Sequence, residues 1–243
     1  MKVLDLFSGI GGFSLGLERA GMETVAFCEF DKHAQNVLKK HWPHVPIHDD
    51  IRGLDAKQYR GTVDVVCGGF PCQDLSVAGS KAGFEGERSS LYREMLRIIS
   101  ECLPRYAIFE NVTGLLTGER GRWFAKFLYD LAEVGYDSEW HCISASYIGA
   151  PHHRDRVWIV AYPTSKRQQG QREPINAIGT KTEANRQTSI FESVSIRGEW
   201  AIEPDVGRVA NGIPDRMDRL TRLGNSVVPQ IPEAIGRAIM SFA

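Results

Sequence analysis

Cys72 stands in VDVVCGGFPCQDLSVAG, five residues after Cys67. Cys67 falls inside an apolar run and reads as a small packed hydrophobe. Cys72 follows two glycines, a phenylalanine and a proline, where a strand gives way to a loop. A thiol with an ordinary pKa of about 8.5 is only a few per cent thiolate at pH 7, so a nucleophile here needs a lowered pKa or a proton acceptor in the substrate complex. Spacing alone leaves nucleophile and structural cysteine both open. Glu110 and Asn111 follow the apolar run YAIF. A carboxyl in that place is partly desolvated, which raises its pKa and lets it donate a proton near neutrality, although a solvated strand end reads the same. In PHHRDRVWIV, Arg154 and Arg156 are two residues apart and share a side of an extended segment. Their forked donors suit phosphate or a base carbonyl, and paired surface arginines are also ordinary.

A further constellation is FSGIGGFSLGLERAG. Gly9, Gly11 and Gly12 let a ligand approach the backbone, or simply make a tight connection between strand and helix. Ser14 stands where a dinucleotide fingerprint needs its third glycine, so a pyrophosphate cradle is not expected. Glu29, at the end of the next apolar run, suits ribose hydroxyls. A ribose without a pyrophosphate fits an adenosyl ligand such as S-adenosylmethionine. His41, His44 and His48 are separated by Pro43 and Pro46, which keeps them off one helical face, and no metal site is expected.

The elements that must hold these residues alternate. KVLDLF, TVAFCE, VDVVCGG, YAIFENV and VWIVAY read as strands, and residues 13–20, 32–41, 91–102 and 123–134 as helices, the pattern of a doubly wound, mostly parallel α/β sheet. Trp123 and Trp158 fall within these patterns and are expected in the core. Beyond Tyr162 a polar stretch without apolar periodicity intervenes before PQIPEAIGRAIMSFA, a closing helix begun by Pro229 and Pro232. Residues 1–162 are thus expected to form the catalytic and cofactor-binding domain, 163–207 a short insert, and 208–243 a segment that returns to the main domain.

The 243 residues carry 29 basic and 30 acidic side chains, and their near-neutral balance gives no pointer to nucleic acid. Five cysteines without CxxC pairs exclude a disulfide framework or a structural zinc site. MKVLDLFSGIGG has neither a signal h-region nor a span of about 20 apolar residues, so a cytoplasmic protein without membrane contact is expected.

Taken in order, DLFSGIGG, GGFPCQDLSVAG, ENV, PHHRDR and LGNSVVPQ resemble the DNA cytosine-5 methyltransferase family over nearly the whole chain except about 164–205. The resemblance implies the sheet of S-adenosylmethionine-dependent methyltransferases with a small target-recognition lobe. It implies a cofactor pocket with Phe7 near the adenine, Glu29 on the ribose, Asp50 and Ile51 at the adenine rim, and Asn225, Ser226 and Val227 completing it. Ser8, Gly9, Gly11, Gly12, Phe30 and Pro71 are counted with that pocket.

By the same resemblance Cys72 attacks C6 of a target cytosine, Glu110 holds a proton at N3, Arg156 binds O2 and Arg154 the nearby backbone. Pro71 and Asn111 support the pocket. The cytosine must leave the double-stranded DNA stack, and residues 73–90, with Gly79, Gly83 and Gly86, would close over it. The implied setting is restriction-modification or phage self-protection by a monomer without a metal. Two departures stand out: His152 replaces a usual Gln, changing one supporting contact, and the short insert implies a short recognition site. The competing readings are the same chemistry on RNA, an inactive DNA-binding derivative, and a small-molecule methyltransferase.

Overall fold

The carboxyl end of one central strand organises the molecule. In the computed structural model, which describes residues 1–71, 91–150, 152–164 and 225–242, strand β1 (Lys2–Leu6) has Val3, Leu4 and Leu6 fully buried. That is the burial expected of a strand with parallel neighbours and helices on both faces. β2 (Glu23–Cys28) and then β3 (Ile47–His48) lie parallel on one side of it. β4 (Val65–Gly68) and β5 (Tyr106–Val112) lie parallel on the other. β6 (Tyr136–Ser144) and β7 (Asp155–Pro163) complete a seven-stranded sheet of order β3-β2-β1-β4-β5-β7-β6, with β7 antiparallel to both of its neighbours. The chain turns one way from β1 to β2 and the other way to β4, so a crevice opens at the carboxyl ends where strand order reverses.

Helices α1 (Gly12–Arg19) and α2 (Lys32–His41) follow the first two strands. α3 (Leu91–Cys102), the short α4 (Gly114–Thr117), α5 (Arg122–Glu133) and the closing α6 (Gln230–Ser241) follow in order. α3 and α5 cover one face of the sheet, burying Met95, Ile99, Phe127 and Leu131 on Leu4, Leu6 and Phe109. α1 and α6 cover the other, with Leu17, Ile235 and Ile239 on Val3, Cys67, Ile108 and Trp158.

The expected α/β sheet is present, and the four helices read from sequence between residues 13 and 134 end within a residue or two of the observed bounds. Cys67 and Trp158 are core residues as expected. Trp123 is a correction: it is only partly buried, packing against the edge of the core from the first turn of α5 with its ring over Gly118 of the preceding turn. β6 was not expected. Its residues YDSEWHCIS bury only Tyr136 and Ile143, as befits an edge strand. Cys72, the segment 73–90 and nearly all of 163–207 lie outside the described residues. Among the described residues no helix is long and apolar enough to cross a membrane, and no group of three or more His, Cys, Asp or Glu is placed to hold a metal.

Candidate active site and cofactor crevice

The turn after β1 is built by hydrogen bonds to the end of β2. Ser8 donates its backbone N–H to the Cys28 carbonyl at 3.2 Å and its hydroxyl to the Asp5 carbonyl at 2.7 Å. Phe7 takes a positive φ of 52°, a conformation that costs a bulky residue about 1–2 kcal/mol and marks a turn held by its surroundings. Glu29, just past β2, accepts from the backbone N–H of Gly9 on Oε2 and of Asp31 on Oε1, both at 2.7 Å. Each carboxylate oxygen has a further lone pair, so Glu29 can fix the turn and still accept a ribose hydroxyl. Gln35, buried in α2, donates its side-chain amide to the Glu29 carbonyl and to Asp49 Oδ1, tying the ends of β2 and β3 together.

Asp50 caps the single 3-10 turn Ile51–Gly53 by accepting from Arg52 N at 3.0 Å. The Ile51 side chain is buried in the core. Phe30 is 78% exposed beside Glu29. From the far end of the chain, Ser226 and Val227 reach Gly12 so closely that a Cβ there would lie 2.8 Å from Val227 Cγ2 and 3.0 Å from Ser226 Oγ. Asn225 is exposed at the same approach. Phe7, Ser8, Gly9, Gly11, Gly12, Glu29, Asp50, Ile51, Ser226 and Val227 thus occupy one edge of the sheet, and above Gly9 the turn is open, with nothing within 4 Å of where a side chain would begin.

The second half of the site lies across β1. Glu110, only 8% exposed in β5, pairs through Oε1 with Arg156 Nε at 3.0 Å. The register explains the pairing: Arg156 faces Val112, two residues from Glu110, so the two are diagonal neighbours on one face. Burial raises the Glu110 pKa above the usual carboxylate range, against the opposing pull of Arg156 and Arg154. Burial also lowers the Arg154 pKa, helped by the charge of Arg156 and opposed by Glu110. Asn111 donates Nδ2 to the Phe70 carbonyl at 3.0 Å, which fixes the chain immediately before Pro71. Phe70 is itself buried and stacks on Phe127 at 5.6 Å. The last described residue before Cys72 is therefore held against the strand that carries Glu110. Cys67 is fully buried, and burial drives its pKa well up, which suits packing and not attack.

A cleft of about 630 Å3 lies beside the glycine turn, lined by residues 10–12, 152–156 and 226–229 with Leu15. It brings Arg154, Arg156, His152, Ser226 and Val227 to the glycine turn.

Sequence reasoning missed Asp5 and Gln35. Asp5 is fully buried, accepts from Ser14 Oγ at 2.7 Å, and has its pKa pushed up to about 7 by burial. The signal was present, since an acid interrupts an otherwise apolar strand, but it read only as a break in that run. Gln35 gave none.

Residues 1–205 match the family model described as C-5 cytosine-specific DNA methylase. The chain is 41% identical over 161 residues to the Type II methyltransferase M.Eco47II of Escherichia coli, covering 65% of this chain and 39% of that protein. It is 40% identical over 165 residues to the Type II methyltransferase M2.BsuMI of Bacillus subtilis, covering 66% and 42%. The chain thus spans about two-fifths of the length of these curated relatives. Among solved structures, one described as a DNA modification methyltransferase encoded within an E. coli prophage superposes with a TM-score of 0.58 at 31% identity, over 69% of this chain and 48% of that one. The S. pombe Dnmt2 methyltransferase, at 21% identity and a TM-score of 0.55 over 82% and 62%, shares the fold.

Proposed function

This chain belongs to the C-5 cytosine-specific DNA methylase family, and from that premise we propose that it methylates C5 of a cytosine flipped out of a short site in duplex DNA. The observation that carries this reading is the pairing of buried Glu110 with Arg156 near the fixed Phe70–Pro71 entry, because a carboxyl and a guanidinium there would serve as proton donor and base-carbonyl donor beside the segment that leads to Cys72.

The residues of the crevice fit an adenosyl cofactor. Glu29 would take the ribose, the backbone around Asp50 and Ile51 the adenine rim, with Phe7 and Phe30 as the nearby aromatics. Ser8, the open turn at Gly9, Gly11 and Gly12, and Asn225, Ser226 and Val227 would enclose the remainder. S-adenosylmethionine supplies an electrophilic methyl group when bound.

The chain's own work is on the base. The Cys72 thiol gives its proton to solvent and its sulfur adds to C6, and Glu110, its pKa raised by burial, would donate a proton to N3 as negative charge develops there. C5 then carries the electron pair that takes the methyl group. Glu110 takes the N3 proton back, and passage of the C5 proton to solvent expels the Cys72 sulfur as thiolate and restores the ring. Arg156 would hold O2 while Arg154 and Asn111 keep the pocket walls in place, and closure of 73–90 would exclude water. Acting on DNA as a monomer in the cytoplasm, the protein would serve restriction-modification or phage self-protection, with 163–207 reading the site.

Expression in a host without cytosine methylation, followed by bisulfite sequencing, tests the activity. The native chain should protect cytosines in one recurring sequence context, and the Cys72→Ser variant none. Complete conversion of every cytosine with native protein present would remove this reading.

A further inference from the structure

The segment at the adenine rim is weakly anchored by its own strand. β3 is two residues long and lies at the sheet edge, paired only through Phe27↔Ile47 and Cys28↔His48. The chain after it forms two single 3-10 turns, Ile51–Gly53 and Ala56–Tyr59. Turns this short leave carbonyls and N–H groups unsatisfied by the turn itself.

α3 supplies partners beyond the turn's own bond from Leu54 N–H to the Ile51 carbonyl at 3.3 Å. Arg97 donates Nη2 to the Ile51 carbonyl at 2.8 Å and Nη1 to the Leu54 carbonyl at 3.0 Å. Its guanidinium is fixed from behind by Glu94, which accepts Nε at 2.8 Å, and Glu101, which accepts Nη1 at 3.0 Å. Glu101 Oε2 also accepts from Ala56 N at 3.1 Å. An exposed helical ion pair alone contributes little. Here both acids orient the planar fork, and its donors end on backbone carbonyls bracketing the rim. A lysine, a single flexible point charge, cannot bridge two carbonyls and two carboxylates together.

We propose that Arg97, braced by Glu94 and Glu101, is a positioning residue for adenosyl binding, strapping the segment 51–56 to α3 so that the rim is set before the ligand arrives. The inference rests on the reading that Asp50 and Ile51 face the adenosyl group. Without the strap the segment must be ordered during binding, which weakens binding without touching the reacting atoms.

The test uses the full chain, Arg97→Met, Arg97→Lys, and Lys126→Met as a control that removes an exposed i,i+4 pair with Asp130 elsewhere. Calorimetry with S-adenosylhomocysteine should give a Kd about tenfold weaker for Arg97→Met, a smaller loss for Arg97→Lys, and no change for Lys126→Met. In methylation assays KM for the cofactor should rise by a similar factor while kcat at saturation stays within about twofold. Native protein that binds while both Arg97 variants bind equally well overturns the role of Arg97 alone. A loss of kcat equal to the rise in KM, or the same weakening in Lys126→Met, also overturns it. Native protein that binds no S-adenosylhomocysteine overturns the cofactor reading and this proposal together.

Discussion

Burial raises the pKa of two carboxyl groups, Glu110 and Asp5, at the scale of single residues. Glu110 keeps a raised pKa although an arginine lies 3.0 Å away, so desolvation outweighs the ion pair. Its protonated form persists to higher pH than that of an ordinary carboxyl and is lost as pH climbs through the raised pKa, so the proposed mechanism predicts an alkaline limb in methylation attributable to Glu110. Glu110→Gln should keep DNA binding and lower the methylation rate by about 100-fold or more, read as incorporation of labelled methyl groups. Asp5 differs in consequence. Its folded pKa of about 7 lies above the ordinary 3.8, so the folded state holds the extra proton. Stability from this group is fully present below pH 4 and is lost as pH rises toward 7, at up to about 1.4 kcal/mol per pH unit. Asp5→Asn retains an oxygen for Ser14 and cannot ionise. Its unfolding free energy should therefore vary less between pH 5.5 and 7.5 than that of the native chain; parallel curves for the two would contradict the assignment.

At the scale of elements, the site depends on how closely α1 meets α6. A Cβ on Gly16 would lie 2.2 Å from the Pro229 carbonyl and 2.7 Å from the Pro232 ring. Alanine is the better helix former by about 1 kcal/mol, but backbone at that distance cannot yield cheaply, and overpacking costs about 1–3 kcal/mol. Gly16→Ala should lower Tm by several degrees, at about 2–4 °C per kcal/mol, and weaken cofactor binding as Ser226 and Val227 shift from Gly12. A variant with native Tm and affinity would show that the approach is slack. Much of this frame was legible in sequence, because buried parallel strands write apolar runs such as VDVVC and YAIF, and helices write their period. β6 was not, since an edge strand with one wet face leaves only Tyr136 and Ile143 to mark it. The motifs also disclosed Glu110, Asn111 and Arg156, whereas the Asn111 bond to the Phe70 carbonyl and the Arg97 strap join residues 41 and 46 positions apart. Such contacts exist only once the sheet order is set.

At the scale of the whole molecule, the chain closes on itself: α6 returns after the polar stretch to bury Ile231, Ile235 and Ile239 on the face that carries Cys67 and Trp158. Three isoleucines at about 1.5–3 kcal/mol each amount to much of the 5–15 kcal/mol that holds a typical domain folded. Removing 225–243 should therefore yield insoluble protein or one without a cooperative thermal transition, and a soluble, cofactor-binding truncation would contradict this. The same closure brings Ser226 and Val227 to the glycine turn, while the pairing of β5 with β7 brings Arg156 to Glu110, and in the proposed mechanism both halves of the crevice serve one base. The most direct measurement of that claim is to incubate the native chain with S-adenosylmethionine and duplex DNA containing 5-fluorocytosine in the recognised site, then map the modified peptide by mass spectrometry. A covalent adduct at Cys72, absent from Cys72→Ser and strongly reduced in Glu110→Gln, is the result we expect; an adduct at Cys67, or none on DNA the protein demonstrably methylates, would contradict the account.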